Sequence, residues 1–183
     1  MFEELIIRHC SPTLAGLKTG NMFRCSYSSQ SVLLDGIRRL NRKLACKGLR
    51  VLPLRIDDRT ALIYVYRPSK LKADFERCDA VCLLKRFGYT FERPERCVAE
   101  LIVRMREQTE FPHEVGLFLG YPPEDVHGFI ENKAQYAKCT GTWKVYGDQE
   151  KAQKTFALYK KCTDIYSAQH AKGKPIERLT IAG

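Results

Sequence analysis

Residues 111–132 read FPHEVGLFLGYPPEDVHGFIEN, and this stretch carries the strongest fold signal in the chain. Its apolar residues and glycines have the spacing of a helix-turn-helix. Gly116 falls on the inner face of a first helix, and Gly120 suits the left-handed residue of the turn. A second helix can begin at Pro123, because the first backbone N–H groups of a helix have no helical partner. The spacing therefore predicts a helix-turn-helix-like corner near residues 112–132.

The charge of this stretch is unusual for a DNA-binding helix. It contains no Lys or Arg and carries four acidic residues. A DNA-reading helix turns its exposed side chains toward base edges and phosphates. In the second helix we predict that the exposed positions are Glu124, Asp125, His127, Gly128 and Glu131. Because a carboxylate is repelled by a phosphate, we favour a compact helical corner that does not read DNA.

Hydrophobic periodicity in the rest of the chain predicts an α+β fold. Helices are predicted over residues 1–9, 31–47 and 68–87, from Pro94 onward, and after Asp148. Strands are predicted over residues 50–56, 60–67 and 142–146. Ser11-Pro12 should end the first helix, since the residue before proline avoids the helical region. We expect one α+β domain over residues 1–183, with a small, mostly antiparallel sheet packed on a helical layer.

The net charge of +10 is concentrated near the start of the chain. Residues 1–70 contain 13 basic and 5 acidic residues. The predicted helix over residues 31–47 has an apolar stripe and a basic face, which carries Arg38, Arg39, Arg42 and Lys43. A basic face attracts nucleic acid, anionic membranes or phosphorylated ligands. This helix therefore offers one alternative function, nucleic-acid binding, beside the alternative that the face simply keeps the protein in solution.

The cysteines and the first residues bear on location. The chain begins without the basic and apolar regions of a signal peptide, and no apolar run is long enough for a membrane span. Its eight cysteines contain no Cys-x-x-Cys pair. We therefore expect reduced thiols and a cytoplasmic protein. Five cysteines fall in predicted helices and are expected to be core residues: Cys46, Cys78, Cys82, Cys97 and Cys162.

Candidate catalytic and metal-binding residues come from the remaining cysteines and the histidines. Cys10 with His113 and Glu114 would make a thiol nucleophile with a base and an orienting acid. Thiolates and imidazoles also suit zinc or iron, and such a set would use His9, Cys10, His113 and Cys139. Haem bound through one Cys or His is a further possibility. Core packing of these side chains is the alternative to each of these roles.

Three segments together resemble a known family: HCSPTLAGLKTGNMF at residues 9–23, the stretch at 111–132, and CTGTWKVYGD at 139–148. The chain resembles an uncharacterised clostridial protein family, the domain of unknown function numbered 3793. The resemblance implies no activity. By this resemblance, the gene is associated with neighbouring genes for flavodoxin or ferrous-iron uptake. The resemblance would therefore suggest iron or redox chemistry and a redox partner such as a flavodoxin.

The polar residues of these segments are predicted to line one cleft. The candidate ligand-binding residues are His9, Lys18, Tyr121, Asn132 and Lys144, beside Cys10, His113 and Glu114. The favoured function is a cytoplasmic accessory protein that binds a small ligand, a metal or haem. The alternatives are a nucleic-acid binder that uses residues 31–47 and a partner-binding protein without chemistry.

Overall fold

A computed structural model describes residues 2–90, 93–107 and 110–183. Its main sheet has three antiparallel strands: β1 (Gly20–Ser26), β2 (Arg50–Ile56) and β3 (Thr60–Tyr66). β3 lies in the centre, between β1 and β2. The predicted α+β class is confirmed, and Pro53 lies on an edge strand beside a register shift, as expected of a residue that cannot donate to a ladder.

Helices cover both faces of this sheet, because β3 is apolar at every other position on each side. Ala61, Ile63 and Val65 pack against α1 (Phe2–Leu14), α2 (Gln30–Leu44) and α9 (Ile176–Leu179). On the opposite face, Tyr64 and Tyr66 pack against α3 (Pro68–Phe75), α4 (Cys78–Arg86), α5 (Pro94–Glu107), α6 (Val115–Phe118) and α7 (Pro123–Glu131). A strand covered on both sides reads as a continuous apolar run.

A second sheet consists of a short hairpin, β4 (Cys139–Thr140) with β5 (Lys144–Val145). Residues 144–145 pair with residues 139–140 and not with the main sheet, which corrects the prediction that residues 142–146 extend that sheet. The last long helix, α8 (Gln149–Ala171), follows directly. Asp148 caps it by accepting a 3.0 Å hydrogen bond from the Lys151 N–H, as predicted.

The first helix does not end at Ser11-Pro12. The predicted helix began at Met1, which lies outside the described residues, and α1 continues to Leu14. Pro12 lies in its last turn, where a missing N–H removes one helical hydrogen bond. The Ser11 hydroxyl also donates to the Ile7 carbonyl. Burial of Ile6, Ile7 and the residues from Cys10 to Leu14 outweighs the preference of Ser11 for a non-helical conformation before proline.

The predicted helix over residues 68–87 is two helices, α3 and α4, separated at Glu76 and Arg77. The break turns Ala80, Leu83 and Leu84 toward the core. Cys78 and Cys82 are therefore exposed, as is Cys46, and their prediction as core residues was wrong. Cys97 and Cys162 are buried, as predicted.

Arg67 is a buried cation that joins distant parts of the chain. Its guanidinium donates at 2.7 Å to the carbonyls of Thr13, Leu14 and Ile181, and at 3.2 Å to that of Lys47. Thr13 and Leu14 end α1, where carbonyls lack helical partners and the helix dipole attracts a positive charge. Arg67 thus holds α1, the residues after α2 and the end of the described chain together.

In the ranges 2–90, 93–107 and 110–183, none of the helices is both long enough and apolar enough to cross a membrane.

Candidate functional site

A cavity of about 360 Å³ lies between α6, α7 and the β4–β5 hairpin. We call it the hairpin cavity. Among the described residues, its wall consists of Met22, nine residues between Phe111 and Phe129, and the five consecutive residues from Thr140 to Lys144. Each of them belongs to one of the three sequence segments 9–23, 111–132 and 139–148. Segments that are far apart in sequence therefore meet at this one cavity.

Aromatic side chains form much of the wall. The ring centroids of Tyr121 and Trp143 lie 5.0 Å apart, and the Tyr121 hydroxyl donates to the Thr142 carbonyl at 3.1 Å. The exposed imidazole of His113 packs edge-on against Phe129, with centroids 5.1 Å apart. Burial raises the pKa of Tyr121 to about 12, and the neighbouring Tyr159 adds to the shift. Tyr121 therefore stays a neutral hydrogen-bond donor at ordinary pH.

Asp125 fixes the hairpin to α7. Its side chain is 2% exposed. One carboxylate oxygen accepts from the Trp143 indole N–H at 2.6 Å, and the other accepts from the backbone N–H groups of Tyr146 and Gly147, both at 2.7 Å. The prediction that Asp125 is an exposed position was wrong, and so was the same prediction for Gly128, which is buried against Tyr146. Glu124, His127 and Glu131 are exposed, as predicted.

Lys144 lies half-buried at the cavity. Its ammonium donates at 2.7 Å to the carbonyl of Ala134. Lys133, Ala134 and Tyr136 have φ values of 49°, 62° and 60°, in the left-handed region that non-glycine residues seldom adopt. Such residues each cost on the order of 1–3 kcal/mol, so the Lys144 hydrogen bond helps to hold a strained segment between α7 and β4.

A second cavity of about 230 Å³ shares Tyr121, Asp125 and Trp143 with the hairpin cavity. Its other walls come from α3, α4, α7 and α8, and they carry charges of both signs, including Asp74, Arg77 and Lys151. Burial raises the pKa of Asp74, although a hydrogen bond from the Thr19 hydroxyl opposes the shift. This second cavity is smaller and more polar than the first.

Comparison with protein families gives a match over almost the whole chain. The model of a family described as a protein of unknown function (DUF3793) matches residues 6–180. The chain belongs to the DUF3793 family. Comparisons with curated proteins and with solved structures gave no match. The family resemblance drawn from the three segments is confirmed, and its description names no activity.

Of the residues predicted to line one cleft, three line the hairpin cavity of this DUF3793 protein together: His113, Tyr121 and Lys144. Asn132 does not. Its side-chain amide donates to the Gly128 carbonyl at 2.8 Å. Its backbone N–H bonds to the same carbonyl at the C-terminal end of α7. It therefore has a structural role as a helix cap.

Cys10 and His9 do not join the cavity. Cys10 is fully buried on the inner face of α1 among Ile6, Ile7 and Leu14. Burial raises the pKa of its thiol far above the usual range, so Cys10 is not an accessible nucleophile, which corrects its catalytic assignment. His9 is exposed and stacks on Phe23, with ring centroids 5.4 Å apart. Partial burial lowers the His9 pKa, with a smaller contribution from Arg8.

Glu114 lies in the core and not at the cavity. Its carboxylate accepts from the Tyr89 hydroxyl at 3.0 Å and lies 3.5 Å from a guanidinium nitrogen of Arg104. The Arg104 guanidinium also lies over the Tyr89 ring, 4.1 Å from its centroid. Glu114 is therefore a partner in a buried ion pair, and the prediction that it orients a catalytic group was wrong.

Lys18 is buried behind the cavity wall, 2% exposed, and does not line the cavity. Its ammonium donates to the Gly20 carbonyl at 2.6 Å and lies 4.9 Å from the centre of the Tyr121 ring. Burial lowers its pKa to about 7, although the Cys10 thiolate would raise it. Lys18 supports the Tyr121 ring from within the protein.

The predicted metal set is not assembled. Across residues 2–90, 93–107 and 110–183, no three His, Cys, Asp or Glu side chains lie close enough together to hold a metal ion. His9, Cys10, His113 and Cys139 thus do not form the zinc or iron site predicted from their chemistry. The reason is that α1 holds His9 and Cys10 at the main sheet, whereas His113 lines the hairpin cavity. Cys139 packs against the cluster of Trp143, Val145 and Ala152.

Met22 and Asp125 are among the lining residues that sequence reasoning did not assign to a site. The signal for Asp125 was present, since an acid in the first turn of a helix is favoured there. Nothing local indicated that its partners lie some 20 residues later in the hairpin.

Proposed function

We propose that the hairpin cavity of this DUF3793 protein binds a small, mainly apolar molecule that carries an anionic group. The observation that carries the proposal is the meeting of all three motif segments at one cavity. A concave, largely apolar pocket with a few polar groups is the usual form of a small-molecule site.

The apolar part of the ligand follows from the walls. Met22, Leu119, Val126 and Phe129 offer aliphatic and aromatic surface, and Trp143 completes it. A flat or aromatic body could stack on these rings in the offset or edge-on arrangements that aromatic groups prefer.

The anionic group follows from the charges at the wall. Among the described residues that line the cavity, those with ionisable acidic or basic side chains are His113, Tyr121, Asp125 and Lys144. The Asp125 oxygens already accept three hydrogen bonds. Lys144 is then the charged group with donors to spare, because an ammonium has three donors and one is used. His113 adds a second positive charge when it is protonated.

The test uses two dyes of similar shape. The probe 1-anilinonaphthalene-8-sulfonate is apolar, aromatic and anionic, and N-phenyl-1-naphthylamine lacks the sulfonate. Trp143 is the sole tryptophan of the chain and lines the cavity, so its emission reports on binding there. We expect both dyes to change Trp143 emission, with the anionic dye binding more tightly.

Two variants and two controls locate the dye. Thr142→Phe fills the cavity mouth and should weaken both dyes, whereas Ser28→Phe, at an exposed position in the β1–α2 loop, should weaken neither. Lys144→Gln should weaken the anionic dye by roughly tenfold, or about 1.4 kcal/mol, and leave the neutral dye unchanged. Lys138→Gln, a lysine of the same hairpin that does not line the cavity, is the matched control. Dye affinities that are unchanged by Thr142→Phe would refute the proposal.

The basic helix α2 supports a second candidate, nucleic-acid binding. Arg38, Arg39 and Arg42 line a shallow surface groove, and Arg38 is paired with Asp35 at 2.9 Å. Lys43 is not available, because it bridges Glu3 at 2.9 Å and Glu177 at 2.8 Å. Binding of single- or double-stranded nucleic acid should weaken steeply with salt and be lost in Arg39→Gln/Arg42→Gln. Unchanged binding in that double variant would remove this candidate.

A cytoplasmic location, a clostridial origin and a redox partner such as a flavodoxin remain proposals that rest on the sequence and the family resemblance. A partner-binding protein without chemistry is the remaining alternative. It would show no dye binding at the hairpin cavity and no effect of Lys144→Gln on any cellular function.

A further inference from the structure

We propose that Cys78 and Cys82 form a surface dithiol that binds one copper(I) ion. Both cysteines are exposed, and both lie on α4, at its first and fifth positions. The side chains that α4 buries are Ala80, Leu83 and Leu84, so neither thiol is needed for packing of this helix. This pair is separate from the hairpin cavity and independent of its proposed ligand.

The spacing places the two thiols side by side. Residues four apart on a helix lie on the same face, with Cβ atoms about 5–6 Å apart. A disulfide requires Cβ atoms about 3.5–4.5 Å apart, so closing a disulfide here would distort the helix. Zinc–thiolate bonds are roughly 2.3 Å long, so a metal ion of similar size placed between the sulfurs bridges a wider separation than a disulfide, as the helical spacing requires.

The number of ligands selects the metal. Within the described parts of the chain, no third His, Cys, Asp or Glu completes a cluster around this pair. Zinc in structural sites takes four ligands, whereas copper(I) is a soft ion that two thiolates can satisfy. Soft thiolate ligands favour copper(I) over the harder divalent ions. Binding replaces the two thiol protons with the metal, so affinity falls as the pH is lowered.

The chain offers a matched comparison in Cys46, which is also exposed but has no second exposed cysteine within a turn of helix.

The experiment measures copper(I) transfer from its coloured bicinchoninate complex to the reduced protein without oxygen. The background is Cys46→Ser/Cys139→Ser, which removes the other two cysteines that are not buried. We expect one copper(I) per chain. Cys78→Ser and Cys82→Ser should each weaken binding by more than the roughly 10- to 100-fold that loss of an outer-sphere partner costs at metal sites.

Circular dichroism of each variant checks that the fold is retained, which is expected because both positions are exposed. Copper(I) binding that is unchanged by either serine substitution would overturn the proposal. So would copper(I) transfer to the background chain that is no greater than transfer to the Cys78→Ser/Cys82→Ser double variant. X-ray absorption of the copper-loaded background should show two sulfur neighbours. One sulfur neighbour would also overturn it, because a single thiolate would then be the ligand.

Discussion

The indole N–H of Trp143 donates a 2.6 Å hydrogen bond to the buried carboxylate of Asp125, which lies 18 residues earlier in the chain. The same carboxylate receives two backbone N–H groups of the residues after β5. The hairpin and α7 are therefore joined through one side chain. Because both elements line the hairpin cavity, the shape of that cavity depends on Asp125.

Replacing Asp125 should release the hairpin. Asp125→Ala leaves three N–H groups without an acceptor, one of them on a buried indole. We expect a loss of about 3 kcal/mol or more in the free energy of unfolding, measured by urea denaturation. Trp143 emission should also shift to longer wavelength as the ring becomes exposed to water. Glu124→Gln is the control, since Glu124 is exposed and next in sequence, and it should change stability by less than about 0.5 kcal/mol.

Close approach of the hairpin to α7 leaves no room at Gly128. A Cβ there would lie 2.5 Å from the Cβ and Cγ of Tyr146. We expect Gly128→Ala to destabilise the protein by about 1–3 kcal/mol, even though alanine is the better helix former. Gly36→Ala in α2 is the matched control, with its nearest neighbour at 3.7 Å. That change should be neutral or stabilising by up to about 1 kcal/mol, and equal effects of the two substitutions in thermal denaturation would contradict the packing shown here.

Removal of the Arg67 guanidinium should be among the most damaging changes outside the cavity. Arg67→Ala removes the guanidinium hydrogen bonds to the carbonyls of Thr13, Leu14 and Ile181. Among the described residues, the first two then keep only the backbone N–H groups of Gly16 and Ile181 as donors. Hydrogen bonds from charged groups are worth about 1.5–3 kcal/mol each, so a loss above about 4 kcal/mol is expected in chemical denaturation. Arg67→Lys should recover only part of this stability, because an ammonium cannot reach carbonyls on several sides. Arg106→Ala, at an exposed position of α5, should have little effect.

Lys18 should make stability depend on pH. Its pKa is about 7 in the folded protein and about 10.4 in an unfolded chain. Between these values the unfolded state binds more protons, so the free energy of unfolding should rise with pH. Below pH 7 both states hold the proton, and the burial penalty is fully present. Lys18→Met removes this contribution.

The difference in stability between Lys18→Met and the unmodified chain is the quantity to measure. We expect the methionine variant to be the more stable by the largest margin at or below pH 7. This margin should shrink toward pH 10. Burial raises the pKa of Cys10 far above its usual value, and loss of the Lys18 charge would raise it further, so Cys10 stays a thiol in both folded chains over this range. A difference that does not vary between pH 6 and 10 would show that Lys18 is not buried as a charge.

Local signals predicted part of the fold well. The α2 stripe of Leu33, Ile37, Leu40 and Leu44 is buried as expected. Gly48, with φ of 77°, follows the short 3₁₀ turn that extends it. These features depend on residues within one or two turns of each other. The strands predicted over residues 50–56 and 60–67 are observed as β2 and β3, which pair in an antiparallel hairpin.

Features that depend on distant partners were not predictable in this way. The continuation of α1 past Pro12 depends on burial of its C-terminal half in the core. The break between α3 and α4 leaves Cys78 and Cys82 facing the solvent. At the cavity, residues 111–132 and 139–148 were recognised as informative. Asp125 was assigned to the surface, because neither segment alone shows that the other supplies its hydrogen-bond donors.

Arg67 also constrains when the protein can finish folding during synthesis. Its guanidinium requires the Ile181 carbonyl, and the Ile181 N–H in turn bonds to the carbonyl of Leu14. A chain synthesised only as far as residue 180 lacks one of the four carbonyls that, in the described part of the protein, accept from this guanidinium. The buried cation therefore gains its full set of acceptors only once residue 181 has been added and has folded back onto the end of α1.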